Sequence, residues 1–277
     1  GDNITWTGTY TPTADVEDTT NVLTLATTYT DLAGNAGAAG QTANFTIDTD
    51  TPSISAIATS AFSWADYLNA TEDNNNGTVS VTTTGVEDGQ TVTITLNGQT
   101  YTNTTESNAT TVTITAAGLQ GLDEGSVTMT ADVSDAAGNA ASQVTSSAFT
   151  YDKTAPTVSS FTMSDTALKS GETATVTLVF SEAVTAFANA DITVVNGSLS
   201  TMTTGDNITW TGTYTPTADV EDTTNVLTLG TSWTDTAGNA YGGATVDTAN
   251  FTIDTNSPSI SAIATSAFSW GAYLNAT

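Results

Sequence analysis

The stretch DAAGNAASQVTSSAFTYDKTAP occupies residues 135–156, and altered copies stand at residues 31–52 (DLAGNAGAAGQTANFTIDTDTP) and 235–258 (DTAGNAYGGATVDTANFTIDTNSP). Each copy has an Asp-x-Ala-Gly-Asn turn, a run of small residues, an alternating aromatic segment and an acidic segment closed by proline. The alternation is typical of a strand with one buried face. Proline ends such a strand because it cannot donate to the ladder. We therefore predict that each copy is the last hairpin of a β domain followed by the joint to the next domain.

Two longer repeats indicate the domain organisation. GDNITWTGTYTPTADVEDTTNVLTL at residues 1–25 recurs unchanged at 205–229, and TPSISAIATSAFSW at 51–64 recurs at 257–270 with one change. A period of roughly 205 residues that holds two joints predicts two alternating domain types, A and B. The predicted division is the C-terminal half of a type B domain at 1–50, a complete type A domain at 51–153, a complete type B domain at 154–256 and the start of a further type A domain at 257–277. We interpret the chain as a window of a longer array.

The apolar pattern within each complete domain predicts short strands. In type A, Ile54, Ile57 and Phe62 are assigned to an opening strand, and later strands such as TVTITL at residues 91–96 alternate apolar residues with threonine. Type B shows the same alternation in TATVTLVF at residues 173–180. Seven short strands separated by turn signals, without helical periodicity, favour a two-sheet sandwich. The predicted fold is all-β, with tandem immunoglobulin-like β-sandwiches arranged end to end.

The composition restricts the possible partners. Two Lys and no Arg stand against 29 acidic residues, giving a net charge of −27, and the chain contains no His and no Cys. Such a surface repels nucleic acids and anionic membranes, which bind Lys and Arg patches. No apolar run approaches the ~20 residues that a membrane helix needs, so no membrane insertion is expected in this segment. The acidic surface instead suits divalent cations or a salty medium.

The acidic residues are concentrated at the predicted joints. In a seven-strand sandwich the B–C and F–G loops lie where the chain enters, and the E–F loop lies where it leaves, so each Asp-x-Ala-Gly-Asn turn should face the preceding joint. The predicted metal ligands are carboxylate and amide side chains grouped at three joints. At the first joint they are Asp48, Asp50, Glu87, Asp88, Asp135 and Asn139, with Asp15, Glu17 and Asp18 from the upstream loop; at the second, Asp123, Glu124, Asp152, Glu182, Asp235 and Asn239; at the third, Asp222, Asp254 and Asn256, with Asp219 and Glu221.

Oxygen clusters of this kind suit Ca²⁺, which takes six to eight oxygen ligands. Without a cation the carboxylates repel one another. Our hypothesis is that structural Ca²⁺ at the joints turns a bending string of domains into a stiff rod. The alternative is that the acidic loops serve solvation alone, because Asp, Asn and Gly are ordinary turn residues.

Several motifs together resemble a known family. The Asp-x-Ala-Gly-Asn turn, the joint DKTAP at residues 152–156 and the stretch VFSEAVTAFANADITVVNGSLS at residues 179–200 are similar to bacterial immunoglobulin-like repeats. Such repeats build the long middle of giant secreted surface adhesins, including biofilm-associated and RTX-type ones. The resemblance implies a location at the bacterial cell surface, an extender role, neighbouring repeats of the same polypeptide as partners, and calcium that straightens the joints. Lys153 departs from the pattern, so we expect fewer ions at the second joint.

Three other functions are compatible with the sequence. Without His or Cys, an enzyme would depend on carboxylates, such as the Glu87–Asp88 or Asp123–Glu124 pairs; adjacent loop residues usually point apart, so no catalytic site is predicted. Self-association into a filament or layer through threonine-rich faces or edge strands is a second possibility. The third is carbohydrate or surface binding, in which the tryptophans would act as stacking platforms: Trp6, Trp64, Trp210, Trp233 and Trp270.

Overall fold

The computed structural model describes residues 5–275, so residues 1–4 and 276–277 of the two predicted part-domains lie outside the described residues. The chain forms two compact units, Gly1–Lys153 and Thr154–Thr277. The finer division into four domains stays a prediction. The first unit begins with two small hairpins, in which β1 (Glu17–Asn21) pairs with β4 (Phe45–Asp48) and β2 (Thr24–Leu25) pairs with β3 (Gly40–Gln41).

The rest of the first unit is a β-sandwich. Its strands are β5 (Ser53–Ile54), β6 (Tyr67–Leu68), β7 (Gly77–Thr84), β8 (Thr91–Leu96), β9 (Gln99–Thr104), β10 (Ala109–Ile114), β11 (Gly125–Val127), β12 (Thr130–Asp132), β13 (Val144–Thr145) and β14 (Phe149–Tyr151). One sheet has the order β10-β7-β5, and the facing strands have the orders β13-β12-β8-β9 and β11-β14-β6. The pairing of β6 with β14 is parallel, and all the others are antiparallel.

The alternation read from the sequence gives the core of this sandwich. Val92, Ile94 and Leu96 of β8 are at most 1% exposed, whereas the threonines between them are partly or fully exposed. The Asn97–Gly98 turn joins β8 to β9 with positive φ at both residues, as a two-residue hairpin turn requires. The predicted immunoglobulin-like all-β class is therefore confirmed.

One local assignment was wrong. The expected opening strand through Ile54, Ile57 and Phe62 is a strand only at Ser53–Ile54, and a 3₁₀ turn at Thr59–Ala61 follows it. All three apolar side chains are nevertheless buried, because a turn can place apolar groups inward as well as a strand does.

The structure also contains a short helix that the sequence pattern did not indicate. A five-residue helix, α1 (Ala116–Gln120), follows β10; the Thr115 side chain accepts a hydrogen bond from Gly118 N, and Leu119 is fully buried. A single turn is too short to show helical periodicity in a sequence. Within residues 5–275 no helix combines the length and apolar character needed to cross a membrane.

The second unit has the same kind of sandwich. Its strands are β15 (Val158–Met163), β16 (Ala167–Lys169), β17 (Ala174–Phe180), β18 (Val184–Thr185), β19 (Ile192–Thr193), β20 (Gly197–Leu199), β21 (Thr203–Thr204), β22 (Thr209–Pro216), β23 (Glu221–Asn225), β24 (Thr228–Leu229), β25 (Thr234–Asp235), β26 (Val246–Asp247) and β27 (Phe251–Asp254). The largest sheet has the order β15-β17-β22-β20, with β21 also on β22; β16 pairs in parallel with β27, which pairs with β23. The core contains Phe180, Tyr214 and Trp233.

Within the exact repeat, the strand pairs formed by residues 17–25 and 221–229 have the same register but different burial. The β1–β4 pairing has the same register as β23–β27, including the same irregularity, since Glu17 faces Asp48 as Glu221 faces Asp254. However, Leu25 is 57% exposed whereas its counterpart Leu229 is fully buried. The local hairpins therefore follow from local sequence, and burial follows from the strands that cover them.

This difference predicts the effects of two matched truncations. Leu229→Ala should lower the free energy of unfolding of the second unit by about 2–5 kcal/mol, because it leaves a cavity in a closed hydrophobic core. Leu25→Ala should change stability by less than about 0.5 kcal/mol, because the side chain is already largely in water. Urea unfolding followed by intrinsic fluorescence measures both, and equal losses in the two variants would contradict the assigned burial.

Candidate metal site

The Asp-x-Ala-Gly-Asn turn has one geometry at all three positions. In each copy the Asn backbone amide donates to Asp Oδ1 and the Asn Nδ2 donates to Asp Oδ2, all at 2.8–2.9 Å. The glycine between them has a φ of +91°, +98° or +94°, a conformation that side chains rarely tolerate. The three pairs are Asp31–Asn35, Asp135–Asn139 and Asp235–Asn239. The exposed copy at Asp31 shows that the turn forms without any neighbouring domain.

These hydrogen bonds favour ionised carboxylates. Burial raises the pKa of the Asp135 carboxyl, but hydrogen bonds from the side chain and amide of Asn139 and from the Gly138 amide outweigh it, so the pKa lies below its usual value. At Asp31 the pKa is also lowered, and the hydrogen bond from the Asn35 side chain is the largest cause. Asp31 and Asp135 therefore each carry a negative charge at neutral pH.

The first joint, residues 48–52, contains a cavity of about 220 Å³ within the first unit. Glycine, valine and asparagine supply part of its wall, and the remaining lining is acidic. The acidic lining residues are Glu17, Asp48, Asp50, Glu87 and Asp135. The structure thus brings together residues of the predicted upstream part-domain with the B–C and F–G loops of the type A sandwich.

Hydrogen bonds hold the walls of this cavity in place. Asn139 Nδ2 donates to Asp48 at its carbonyl oxygen (3.3 Å) and at Oδ1 (3.5 Å). The Ala136 amide donates to Glu87 Oε2 at 2.9 Å, which ties the B–C loop to the F–G turn. The Asp50 amide donates to Asp48 Oδ1 at 3.1 Å. The expectation that the turn faces the preceding joint agrees with this arrangement.

Other first-joint candidates have separate structural roles. Asp88 Oδ1 accepts a hydrogen bond from the Ser107 amide at 2.6 Å, and Asp88 does not line the cavity. Asp18 Oδ1 accepts from the amide and hydroxyl of Thr20, so this carboxylate stabilises its own turn. Asp15 is exposed, has a positive φ and lies outside the lining.

The sequence analysis did not identify Asn108, which also lines the cavity. It has a φ of +61° in the turn between β9 and β10. The turn signal Glu-Ser-Asn at residues 106–108 was visible in the sequence, but only the sandwich topology places this loop beside the B–C loop.

The candidates for the second joint, residues 152–156, lie in both units. In the first unit, Glu124 Oε1 accepts a hydrogen bond from the Lys153 amide at 2.9 Å, Asp123 is exposed, and the Asp152 amide donates to Leu68 O at 2.9 Å. The Lys153 ammonium lies 5.6 Å from the centre of the Tyr151 ring, within cation–π range.

In the second unit, Glu182 and Asp235 offer carboxylate oxygens within 4.8 Å of each other. Asn239 holds Asp235 in the turn described above, and both residues are buried. Two anionic groups at this distance repel in a poorly solvated site.

The third joint, residues 254–258, repeats part of the first. Asp254 Oδ1 accepts a hydrogen bond from the Asn256 amide at 3.2 Å. Asp254 is also the direct partner of Glu221 in the antiparallel pair of β27 and β23. Asp222 has another role, because its Oδ2 accepts from Asn196 Nδ2 at 2.9 Å inside its own sandwich. Asp219 has a positive φ, which places it in a tight turn before β23.

The five tryptophans differ in burial. Trp64 and Trp233 are core residues of their sandwiches, at 5% and 0% exposure, and Trp210 is half-buried. Trp6 and Trp270 are exposed, and each is the repeat counterpart of one of these more buried tryptophans. The rings of Trp64 and Trp233 pack inside their sandwich cores, so neither offers a free face for stacking on a sugar.

The fold and repeats identify the family. The family model for the bacterial Ig-like domain matches residues 1–49 and 152–253, so the chain belongs to this family, as the sequence resemblance predicted. The matched residues are those of the type B segments. A comparison with curated protein sequences gives no match.

Several solved structures are similar to the chain. One is a Ca²⁺-stabilised adhesin of an Antarctic bacterium that binds ice (25% identity, TM-score 0.39), which the chain matches over 83% of its own length and 56% of that structure. A second comes from a 1.5-MDa bacterial ice-binding adhesin (25% identity, TM-score 0.42, 82% and 72% coverage). A third is an immunoglobulin-like domain of the M. primoryensis ice-binding adhesin (31% identity, TM-score 0.27, 36% and 94% coverage). The chain thus spans little more than half of the first of these structures.

The turn yields a prediction that uses the repeat as a control. Asp135→Asn should lower the free energy of unfolding of the first sandwich by about 1.5–3 kcal/mol, because one amide cannot replace two charged acceptor oxygens. The same change at the exposed turn, Asp31→Asn, should leave this transition unchanged.

The sign of the pH dependence follows from the lowered pKa of Asp135. The stabilisation by its carboxylate is complete above the unfolded-state pKa of about 3.9 and is lost as the pH falls through the lower folded-state pKa. Denaturant melts of wild type and Asp135→Asn at several pH values should therefore differ near neutrality and converge in acid. If the two proteins still differ in stability at the lowest pH, the effect of Asp135→Asn does not come from loss of the carboxylate charge.

Proposed function

We propose that this chain is a non-enzymatic extender segment of an extracellular bacterial adhesin, in which Ca²⁺ at the joints restricts bending between successive sandwiches. The observation that supports this proposal most directly is the acidic cavity at the first joint, where residues on either side of the joint converge. Membership of the bacterial Ig-like family supports the structural role, and the absence of His and Cys is consistent with it.

The donor set of this cavity fits a hard cation. All five acidic lining residues offer carboxylate oxygens, and neither nitrogen nor sulfur ligands are present among them. Asp135 and Glu87 Oε2 already accept hydrogen bonds, whereas no described hydrogen bond ends on the side-chain oxygens of Glu17 or Asp50. We therefore propose Glu17, Asp48, Asp50 and the second oxygen of Glu87 as the principal ligands, with Asp135 and Asn139 positioning the wall.

Charge repulsion gives the cation its effect on the joint. Two carboxylates ~5 Å apart repel by about 3 kcal/mol at an effective dielectric near 20. A bound Ca²⁺ replaces this repulsion with attraction to both sides of the joint. Extracellular calcium modules bind with Kd of about 10⁻⁴–10⁻³ M, and a site at 100 times its Kd adds about 2.7 kcal/mol to the stability of the bound state.

For the second joint we propose Asp123, Glu124 and Asp152 as metal ligands on the first unit, and Glu182, Asp235 and Asn239 as metal ligands on the second unit. Lys153 places a cation in this joint, so we propose fewer ions there than at the first. The third joint offers Asp254 and Asn256, and the hydrogen bond of Asp222 to Asn196 makes Asp222 the weakest proposed ligand.

Thermal melting with calcium tests the proposed ligands. Millimolar Ca²⁺ should raise the melting temperature of the first unit, and Mg²⁺ should do so less, because Mg²⁺ demands a tighter octahedral site. The double variant Glu17→Gln/Glu87→Gln keeps side-chain oxygens but removes two charges, so it should lose most of the calcium effect. Asp66→Asn removes a charge from an exposed residue of the same sandwich outside the cavity and should keep the full effect. If Ca²⁺ raises the melting temperature equally in wild type and in both variants, the first joint is not the calcium site.

Small-angle scattering tests the mechanical part of the proposal. The largest dimension and the persistence length of the chain should increase when Ca²⁺ is added. Both should fall again when a chelator removes the ion, because neighbouring sandwiches can bend freely without it. The Glu17→Gln/Glu87→Gln variant should show a smaller change than wild type. If calorimetry shows that calcium binds but the scattering does not change, the ion is bound without stiffening the joint, and the mechanical part of the proposal is wrong.

A further inference from the structure

The first sandwich contains a cavity of about 180 Å³ that the proposed calcium site does not use. The loop between β6 and β7 and the helix α1 both contribute to its wall, and none of its lining residues lines the cavity at the first joint. We name it the Trp64 pocket. Its apolar floor and its polar rim are formed by Trp64, Leu68 and Leu119 and by Glu72, Asn75 and Asn76, respectively. All of these residues lie outside the two segments that match the family model.

The second sandwich shows how the loop of this pocket differs from a simple turn. Glu72 Oε2 accepts a hydrogen bond from the Asn69 amide at 3.1 Å, and Glu172 Oε2 accepts one from the Lys169 amide at the same distance. The same turn therefore follows β6 and β16. Strand β7 begins five residues after Glu72, whereas β17 begins two residues after Glu172. The first sandwich thus has three additional residues in this loop.

Two further lining elements distinguish the first sandwich from the second. Ser63 Oγ accepts a hydrogen bond from an amide of β7, as Ser164 Oγ does from an amide of β17, so the following residues Trp64 and Asp165 hold corresponding places. Helix α1, which supplies Leu119, follows β10, whereas residues 217–220 after β22 form a turn. The tryptophan, the longer loop and the helix therefore converge on one pocket.

Trp64 has a polar atom without a protein partner. Its side chain is 5% exposed, and its Nε1–H is buried with no acceptor among residues 5–275. The buried indole of Trp233, in contrast, donates to Gly230 O at 3.1 Å, as buried tryptophans usually do. A buried donor without an acceptor destabilises a fold. A ligand that accepts this hydrogen bond would therefore recover a loss that the protein alone does not.

The rim residues have further hydrogen-bonding capacity. Glu72 uses Oε2 in its own turn, which leaves Oε1 as an acceptor. Asn75 Nδ2 donates to Thr71 O at 3.3 Å, which leaves its Oδ1 as an acceptor. Asn76 Oδ1 accepts from the Ala116 amide at 3.0 Å, which leaves its Nδ2 as a donor. With the indole N–H, the pocket offers two donors and two acceptors beside an apolar floor.

We propose that the Trp64 pocket binds a single sugar ring, either a free monosaccharide or the end residue of a glycan. Each sugar hydroxyl both donates and accepts hydrogen bonds, so one ring can satisfy both kinds of group in the pocket. The C–H groups of the ring would contact Leu68 and Leu119. The volume lies below the ~300–1,000 Å³ of sites for larger ligands, which suits one ring rather than a chain.

Charge separates a sugar from ionic ligands of similar size. A cation would be attracted by Glu72 but could not accept the hydrogen bond of the Trp64 indole, and an anion would be repelled by the Glu72 carboxylate. A neutral polyhydroxy compound meets neither obstacle. The rings of Phe62 and Phe149 pack against Trp64, with centroids at 5.3 Å, so the indole would contribute its N–H rather than a stacking face.

An NMR titration of the full chain with neutral monosaccharides tests the site. The five tryptophans give separate indole N–H signals, and Trp64→Phe identifies the signal of Trp64. We expect a saturable shift of this signal with a Kd of about 1 mM, the affinity that so small a ligand allows. The other four indole signals should stay in place. Methylammonium and acetate serve as charged probes of similar simplicity and should leave the Trp64 signal unchanged.

Two glutamates at the same place in the two sandwiches provide matched variants. Glu72→Gln should weaken sugar binding by about 10-fold, because a neutral acceptor replaces a charged one. Glu172→Gln makes the same change in the second sandwich and should bind as wild type does. Asn75→Ala removes a rim acceptor without touching this turn and should also weaken binding. Thermal melting of each variant shows whether its sandwiches are folded.

A glycan array distinguishes the two sources of the ring. Binding to the array together with the titration would assign the end residue of a glycan, and titration without array binding would assign a free monosaccharide. The Glu17→Gln/Glu87→Gln variant should bind sugar as wild type does, so this result is independent of the calcium proposal.

Three results would overturn the sugar assignment. They are a Trp64 signal that no neutral sugar shifts, equal sugar affinity in wild type and Glu72→Gln, and a shift produced by methylammonium or acetate but not by sugars. The last result would show that the pocket takes a charged ligand instead.

Discussion

The closure of one half-sandwich by the other is the interaction on which the rest of this structure depends. A hairpin with one apolar face gains stability only when a second sheet removes that face from water. The repeated segment shows both outcomes, because Leu229 and Tyr214 are fully buried whereas Leu25 and Tyr10 are 57% and 53% exposed. Strand β22 exists only in the covered copy, so part of the secondary structure is itself a product of closure.

Polar turns contribute in a different way, since they require no cover. The Asp-x-Ala-Gly-Asn turn keeps the same hydrogen bonds in an exposed copy and in two buried copies. It is therefore a preformed unit that presents a charged group at a defined place on each sandwich. Its position at a joint follows from topology, because the loop between the last two strands lies at the end where the chain enters.

Much of the fold could be predicted from sequence, and the remainder has identifiable physical causes. The alternation of apolar residues with threonine predicted the buried residues of β8, because successive side chains of a strand point to opposite faces and only one face of this strand is buried. It failed around Ile57, where a 3₁₀ turn buries the same residues, and at α1, which is a single turn. For the candidate site, loop topology predicted that Asp135 and Glu87 meet Asp48, but no pattern could show that Asp88 turns towards Ser107 instead.

The distribution of charge connects the fold to the proposed role. The strands of the type A sandwich carry threonine on their outer faces. Among the residues that form strands β7, β8, β9, β10, β11 and β12, Asp132 is the acidic one. The acidic groups lie mainly in the loops at the two ends. Lateral approach of two sandwiches therefore meets little repulsion, whereas approach end to end brings carboxylates together, as in the cavity of the first joint. Because the acidic groups are concentrated at the ends, the proposed Ca²⁺ would act on the loops at the joints rather than on the apolar contacts inside each sandwich.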